Sequence, residues 1–377
     1  MIRVIRGMLT IMAGFGVMTP MLHAAGFTNN AGTVFVMTNA ADRNEVIAFN
    51  RSYDGTFSEG NHYNTGGRGS AGVTDPLESQ GSLTLSQDHS FLFAVNAGSG
   101  DVSVFHILRN GFLLLTDKEP SGGSEPVAVA QRQNLVYVLN AGGPGRVAGF
   151  VLDHEGRLRP IRNVTAFLTA NVTGGASITV SPDGQFLAVT ERLANNIDIF
   201  SIHPDGTLAP IVVSASPAPG AFSASFAPNG KLIVSETGPA GAVNASAISS
   251  YSVSSGGTLG AVSQSVPTFG GANCWNVITP DGKHVYVSNA GSSTISGFTI
   301  GQGGTLTPIG STVVGTNPAG STNLDITTSG DGKFVYTLNS GTGTIGVFAI
   351  QRDGTLNNLG EIEGLPKAAG FNGIAAL

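Results

Sequence analysis

The sequence has few charged residues. Asp, Glu, Lys and Arg make up 11% of its 377 residues, whereas an average soluble domain contains roughly 25%. The formal net charge is only -6, and Lys and Arg form no run anywhere in the chain. This composition argues against a nucleic-acid surface and against a surface that binds anionic membranes.

Cysteine and metal-binding patterns are also scarce. Cys274 is the only cysteine, so an internal disulfide is excluded. The histidines are scattered, and no His/Cys pair has metal-ligand spacing, so we expect no metal site. The segment "GTGTIG" at 341–346 fits a dinucleotide pattern, but it joins two predicted strands with no helix after it, which indicates a turn. We therefore expect no cofactor.

The N-terminus has the pattern of an export signal. Arg3 and Arg6 precede an apolar run over residues 7–17, and small residues follow at Ala24 and Ala25. Such a run is too short for a permanent membrane-spanning helix and is typical of a cleaved signal peptide. We predict a signal peptide at 1–25, a single domain over 26–377, and a periplasmic or secreted protein with no membrane attachment after cleavage.

Glycine is abundant, with 54 residues, and the chain repeats itself. "SPDGQFLAVTERLANNIDIFSIHPDGTL" at 181–208 returns as "TPDGKHVYVSNAGSSTISGFTIGQGGTL" at 279–306 and "SGDGKFVYTLNSGTGTIGVFAIQRDGTL" at 329–356. Each unit contains four short strand-like runs separated by Pro, Asp and Gly turns. A period of roughly 50 residues with four strands per unit is typical of propeller blades.

One position marks the seven units, because an Asn or Glu ends a "YVxN"-like run in each. These residues are Asn39, Asn96, Asn140, Glu191, Glu236, Asn289 and Asn339. We predict an all-β fold, a seven-bladed β-propeller with four antiparallel strands per blade. The C-terminal "FNGIAAL" supplies the missing inner strand beside the N-terminal "TVFVMTN", which closes the ring.

The chemistry is expected on the face where the loops vary. Two neighbouring blades replace the neutral Asn by Glu191 and Glu236, and Arg192 follows the first of them. Asp325 is the one ionisable residue in the upper row of the innermost strands, where burial could shift its pKa. We name Glu191, Glu236, Asp325 and Arg192 as candidate catalytic residues. The alternative for Glu191 and Glu236 is a structural one, in which each carboxylate accepts hydrogen bonds from the loop backbone.

The innermost strands predict a hydrated central channel. Polar residues alternate along them with the period of two that a strand gives to one face. Candidate substrate-binding residues are Ser82, Ser177, Ser223 and Trp275 in the upper row of this channel, together with Arg68 and Arg146 in the variable loops.

The repeated "YVSNAGSSTISGFTI" phrase, "SQGSLTLSQDHSFLFAVNAGSGDVSVF" and the terminal "GIAAL" resemble the lactonase-type seven-bladed propellers. That family includes 6-phosphogluconolactonases and carboxymuconate-lactonising enzymes. The resemblance implies an enzyme that opens or forms a lactone of a small carboxylated or hydroxylated compound, with Glu191, Arg192 and Glu236 as the closest counterparts of the family's site. We expect the protein to be a monomer. A second hypothesis is a non-catalytic exported propeller that binds a polymer, an envelope component or a protein through its variable loops.

Overall fold

The computed structural model describes residues 30–53 and 55–377. The predicted signal peptide lies outside these residues. In the described part of the chain the regular structure is β-strand, apart from one 3-10 turn at Arg109–Gly111. No helix among the described residues is long and apolar enough to cross a membrane.

The strands form seven sheets of four, which confirms the predicted architecture. Blade 1 contains β1 (Asn30–Met37), β2 (Glu45–Ser52) and β3 (Phe57–Asn64). Blade 2 contains β4 (Leu83–Leu85), β5 (Phe91–Asn96), β6 (Asp101–Ile107) and β7 (Leu113–Pro120). Blade 3 contains β8 (Pro126–Arg132), β9 (Leu135–Asn140), β10 (Pro144–Leu152) and β11 (Leu158–Asn171). Blade 4 contains β12 (Gly175–Val180), β13 (Phe186–Glu191), β14 (Asn196–Ser201) and β15 (Val212–Ala215).

The remaining blades follow the same order from the innermost strand outward. Blade 5 contains β16 (Ala221–Phe226), β17 (Leu232–Glu236), β18 (Ala247–Val253) and β19 (Leu259–Pro267). Blade 6 contains β20 (Asn273–Ile278), β21 (His284–Asn289), β22 (Thr294–Ile300) and β23 (Leu306–Thr316). Blade 7 contains β24 (Asn323–Thr328), β25 (Phe334–Asn339), β26 (Thr344–Ile350) and β27 (Leu356–Ile362), and β28 (Ile374–Ala376) returns to blade 1.

The ring closes as the sequence predicts. β28 pairs antiparallel with β1, with Ala375 opposite Phe35, and so becomes the innermost strand of blade 1. One blade is therefore built from both ends of the described chain, which leaves no open inner edge in the ring.

The recurring "SPDG" phrase is the hairpin between the first and second strands of a blade. In blade 4 the Ser181 hydroxyl donates to Asp183 Oδ1 over 2.5 Å, and the backbone N–H of Phe186 donates to Ser181 Oγ. The turn needs a left-handed residue, and Gly184 supplies it with a φ of 74°. The phrase recurs because each blade whose first and second strands are consecutive in the chain needs the same tight turn.

Neighbouring blades are joined by buried tyrosines. Tyr137 of blade 3 donates its hydroxyl to the carbonyl of Gly206 in blade 4 over 2.9 Å. Tyr286 of blade 6 makes the same bond to Gly354 in blade 7 over 2.8 Å. A phenol that is buried in the apolar seam keeps its hydroxyl satisfied in this way.

The insertion between blades 1 and 2 crosses the central channel. Residues 77–81 of this insertion, called the plug below, contact blades on both sides of the axis. The Ser79 hydroxyl donates to Val127 O of blade 3, and the Ser79 backbone carbonyl accepts the indole N–H of Trp275 in blade 6, both over 2.8 Å. The Gln80 amide pairs with both backbone groups of Asn276, over 2.8 and 3.0 Å. The channel is therefore closed on the variable face.

Removing the Gln80 side chain is expected to loosen this closure. Gln80→Ala leaves the buried N–H and C=O of Asn276 without their partner, which costs about 2–4 kcal/mol of unfolding free energy. Urea unfolding measures the loss, and Gln302→Ala, at an exposed turn, is the control that we expect to change little. Equal stability of the two variants would show that the amide pair does not hold the plug.

Candidate functional site

Glu191 lies at the end of β13, in the seam between blades 3 and 4. Its side chain is fully buried. The backbone N–H of Thr169 donates to Oε1 over 2.7 Å, and the Thr169 hydroxyl and the Asn196 amide donate to Oε2. The carboxylate thus fastens the end of β11 to the next blade.

Glu236 occupies the equivalent place between blades 4 and 5. It too is fully buried, and its Oε1 accepts the hydroxyls of Ser216 over 3.0 Å and Ser249 over 2.8 Å. Burial raises the pKa of Glu236, although its hydrogen bonds oppose that shift. The contacts are again those of a seam, since Ser216 belongs to the segment that leaves blade 4.

The neutral residues at this position perform the same task. Asn96 accepts the Thr65 hydroxyl at the exit of blade 1 and donates to Ser103 in its own blade. Asn339 donates to Asn317 at the exit of blade 6. The contacts of Glu191 and Glu236 therefore match the structural alternative, and their catalytic role stays a prediction of the sequence.

A pair of conservative variants separates the two roles. If the seam contacts are the whole function of these carboxylates, Glu191→Gln and Glu236→Gln keep any lactonase activity within about threefold. Glu191→Gln should still lose about 1–3 kcal/mol of stability, because an amide N–H₂ replaces one of two oxygens, of which Oε1 faces one donor and Oε2 faces two. Loss of activity by a hundredfold in a folded Gln variant would restore the catalytic assignment.

A cavity of about 660 Å³ opens on the variable face between the insertion and blades 4 to 6. Its ionisable wall residues are Asp75, Glu78, Arg192 and Cys274. A second cavity of about 510 Å³ adjoins it on the side of blades 6 and 7 and shares Asp75 and Cys274 with it. Neither Glu191 nor Glu236 lines these cavities.

The charged groups of the cavity come from two distant parts of the chain. Arg192, in the loop after β13, pairs through Nη2 with Glu78 Oε2 of the insertion. Asp75 belongs to the same insertion, and the charges of Glu78 and Arg192 both reach it. Of the four predicted catalytic residues, Arg192 lines the cavity, and the other three do not.

Asp75 is the carboxyl group of the cavity wall whose pKa is raised. Burial is the main cause that raises its pKa to about 7, and the nearby Glu78 adds to the shift. The Asn372 amide donates to Asp75 Oδ1 over 3.0 Å, which opposes the rise. Asp75 also has a φ of 35° before Pro76, a backbone conformation that is disfavoured and is often found at functional sites. Its pKa suits a general base near neutral pH.

Asp325 lies beside Asp75, at a bulge in β24. It is almost fully buried, and its carboxylate accepts the backbone N–H groups of Ile326 over 2.8 Å and Ile374 over 3.1 Å. Burial raises its pKa to about 7, and the Asp75 charge adds to the rise. The perturbed acid that the sequence predicted is present, but it lies outside the walls of both cavities.

Cys274 lies where the two cavities meet. It is buried, and desolvation raises the pKa of its thiol well above the usual value, with the Asp75 charge acting in the same direction. The thiol is therefore a neutral, apolar part of the wall at physiological pH.

The other candidate binding residues are dispersed. Ser82, Ser177, Ser223 and Trp275 are buried under the plug. Ser177 and Ser223 bond to the neighbouring inner strands, through Ala224 N and Asn276 Nδ2, and Trp275 borders the second cavity. Arg68 is exposed and Arg146 half-buried in other loops, and neither borders the two cavities. Their substrate-binding roles stay predictions.

Below the plug the channel persists as a cavity of about 200 Å³, bordered by Gln80, Thr84, Thr179 and Ser225. The hydroxyl lining expected from the sequence is therefore present on the lower part of the inner strands. Among the described residues, no group of three or more His, Cys, Asp or Glu side chains is placed to hold a metal ion.

Residues 144–274 match the family model "Lactonase, 7-bladed beta-propeller". No curated protein matches the chain. A proposed 6-phosphogluconolactonase from Bacteroides uniformis superimposes with a TM-score of 0.66 at 19% identity, covering 93% of this chain and 100% of that one. The periplasmic gluconolactonase of Pseudomonas aeruginosa gives 0.66 at 17%, covering 91% and 99%.

The same fold also serves other proteins. Hydrazine synthase of Kuenenia stuttgartiensis gives a TM-score of 0.58 at 16% identity, covering 84% of this chain and 94% of that one. At these identities the structural likeness shows the fold and leaves the activity to be argued from the site. The family-model match over residues 144–274 and the ring of seven four-stranded blades make this chain similar to the lactonase-type seven-bladed β-propellers.

Proposed function

We propose that the protein is an exported lactonase-like enzyme that opens a lactone ring in the cavity formed by Asp75, Glu78 and Arg192. The observation that carries this proposal is the meeting, in one cavity on the variable face, of a carboxyl with a pKa of about 7 and a guanidinium group. Ester hydrolysis needs both, a base to activate water and a positive group near the developing oxyanion.

The reaction follows from the positions of these groups. Ionised Asp75 accepts a proton from water, and the resulting hydroxide attacks the lactone carbonyl carbon. The guanidinium of Arg192 has five N–H donors and pairs with Glu78 through Nη2, so it still has N–H groups to donate to the carbonyl oxygen, where they stabilise the developing negative charge. When the tetrahedral intermediate collapses, the ring C–O bond breaks, and the proton held by Asp75 passes to the leaving oxygen. The product is the open hydroxy acid, and Asp75 is ionised again.

Asn372 is a positioning residue in this scheme. It lies just before β28 and is fully buried. Its amide donates to Asp75 Oδ1 over 3.0 Å and so holds the carboxylate in place. Closure of the propeller ring thus also fixes the orientation of the base.

The sequence suggests either a carboxylated or a hydroxylated substrate, and the charge of the cavity favours the second. Glu78 already neutralises Arg192, so an added carboxylate would face Asp75 without a free cation from the cavity wall. The binding-module hypothesis is supported by the loop composition alone, whereas a polarised cavity supports catalysis.

The test is hydrolysis of a panel of lactones by the purified mature protein, followed by the acid released. We expect activity in the wild type and its loss in Arg192→Gln, while Arg352→Gln, at an exposed hairpin turn outside the cavity, retains it. No hydrolysis of any lactone would overturn the proposal.

Export is tested separately, by N-terminal sequencing of the protein recovered outside the cytoplasm. We expect a chain that begins near residue 26; retention of residues 1–25 in a cytoplasmic protein would contradict export.

A further inference from the structure

Apolar residues and glycines form most of the lining of the cavity that contains Asp75, beside a few charged and neutral polar groups. Its floor includes Phe222, which is buried and packs edge-on against Trp275 with 5.2 Å between ring centroids. One wall runs from Pro239 to Val243, in the loop between β17 and β18. The neutral Cys274 completes this apolar lining. A ligand that fills the cavity would therefore place much of its surface against carbon.

Two large apolar side chains at the rim are open to solvent. Leu193 has 58% of its surface exposed and Val243 has 85%, and both line the cavity. They come from loops of neighbouring blades, after β13 and after β17. Single exposed apolar residues are common on protein surfaces, but two that border one concave cavity indicate contact with an apolar ligand.

The charges of the same cavity disfavour an anionic ligand. Its walls contain two carboxyl groups, Asp75 and Glu78, and one guanidinium, Arg192, which Glu78 already engages. A phosphorylated lactone would bring a second negative charge close to the carboxylates without a free cation from the walls to receive it. Thr237, Asn244 and Ser292 offer neutral polar groups for a ring oxygen.

We propose that the ligand of this site is an uncharged lactone that carries an apolar substituent, such as an alkyl arm, which lies against Leu193 and Val243. For its chemistry, this proposal rests on the lactonase function proposed above. The ligand class itself follows from the apolar lining and the charge balance, so binding can test it without turnover.

The experiment compares lactones with alkyl arms of increasing length with gluconolactone and 6-phosphogluconolactone. We expect kcat/KM to rise about three- to fourfold for each methylene group that becomes buried, and 6-phosphogluconolactone to be the poorest substrate. Leu193→Ser and Val243→Ser should flatten the dependence on chain length. Leu114→Ser and Val213→Ser are the controls, because these side chains are also exposed, at 52% and 45%, but lie on outer strands away from the cavity.

Calorimetric binding of the corresponding alkyl lactams separates the two proposals. If no lactone is hydrolysed but lactam affinity rises with chain length in the wild type and not in Leu193→Ser, the ligand class stands and the reaction fails. If lactones are hydrolysed with no gain from the arm, or with 6-phosphogluconolactone preferred, the reaction stands and the ligand class is overturned. Lactam affinity that does not depend on chain length would also overturn it.

Discussion

Asp75→Asn is expected to lower kcat for lactone hydrolysis by about 10²–10⁴-fold, the usual contribution of a positioned general base. The amide cannot accept the proton of the attacking water, while its size and its place beside Asn372 are preserved. Because burial raises the pKa of Asp75 to about 7, the substitution also removes a group that is costly to ionise, so the variant should fold at least as well. The measurement is kcat on the best lactone of the panel, with circular dichroism to confirm the fold.

The matched control for this variant is Asp198→Asn. Asp198 is a fully buried carboxyl whose pKa, like that of Asp75, is strongly raised, but it lies on β14 in the seam with blade 3 and outside the cavity. Its replacement should leave kcat unchanged. Equal activity of Asp75→Asn and the wild type would remove Asp75 from the mechanism.

Asp198→Asn should itself have a large effect, because it should raise stability relative to the wild type as the pH rises from 5 to 8. Burial, followed by the charge of Glu191, raises the pKa of Asp198 to about 8. Among the described residues no donor reaches either oxygen of Asp198, so the carboxyl can bond to Glu191 only while it holds a proton. The neutral form is the one that the folded protein accommodates.

The direction of the pH effect follows from this shift. The raised pKa stabilises the folded state fully below the unfolded value of about 3.8, and this contribution is lost as the pH rises to about 8. Asp198→Asn removes the loss, since its amide donates to Glu191 at every pH. We expect the variant to gain on the order of 2–4 kcal/mol relative to the wild type between pH 5 and pH 8. Urea unfolding at the two pH values measures the difference, and a gap that is constant with pH would contradict the shared-proton arrangement.

The propeller could be predicted from the sequence because its determinants are local and repeated. The "SPDG" hairpin encodes its turn through Ser181, Asp183 and Gly184, and the same contacts recur in later blades, as between Ser329 and Asp331. Ring closure could be predicted for a related reason: six hairpins leave one inner strand to be supplied by the C-terminus. The family resemblance, carried by these phrases, was confirmed together with the fold.

The plug and the base were harder to predict. The insertion between β3 and β4 has no counterpart in the other blades, so the repeat gives no register for it. The contact between Asp75 and Asn372 joins residues 297 positions apart, and no local pattern announces it. Glu191 and Glu236 stand where the other five units have Asn, and this difference predicts a special role. However, the end of the "YVxN"-like run faces the seam between blades in every unit named here, so these two side chains lie in seams, as Asn96 and Asn339 do.

The most direct test of the account is the pH dependence of kcat/KM for the unmodified protein, corrected for spontaneous hydrolysis. Asp75 acts as a base only when ionised, so kcat/KM should rise with pH up to about 7 and level off above it. Because the charge of Asp75 also raises the pKa of Asp325, the midpoint belongs to the pair. A profile that is flat between pH 5 and pH 9, or one that falls as the pH rises through 7, would contradict a carboxylate base in this cavity.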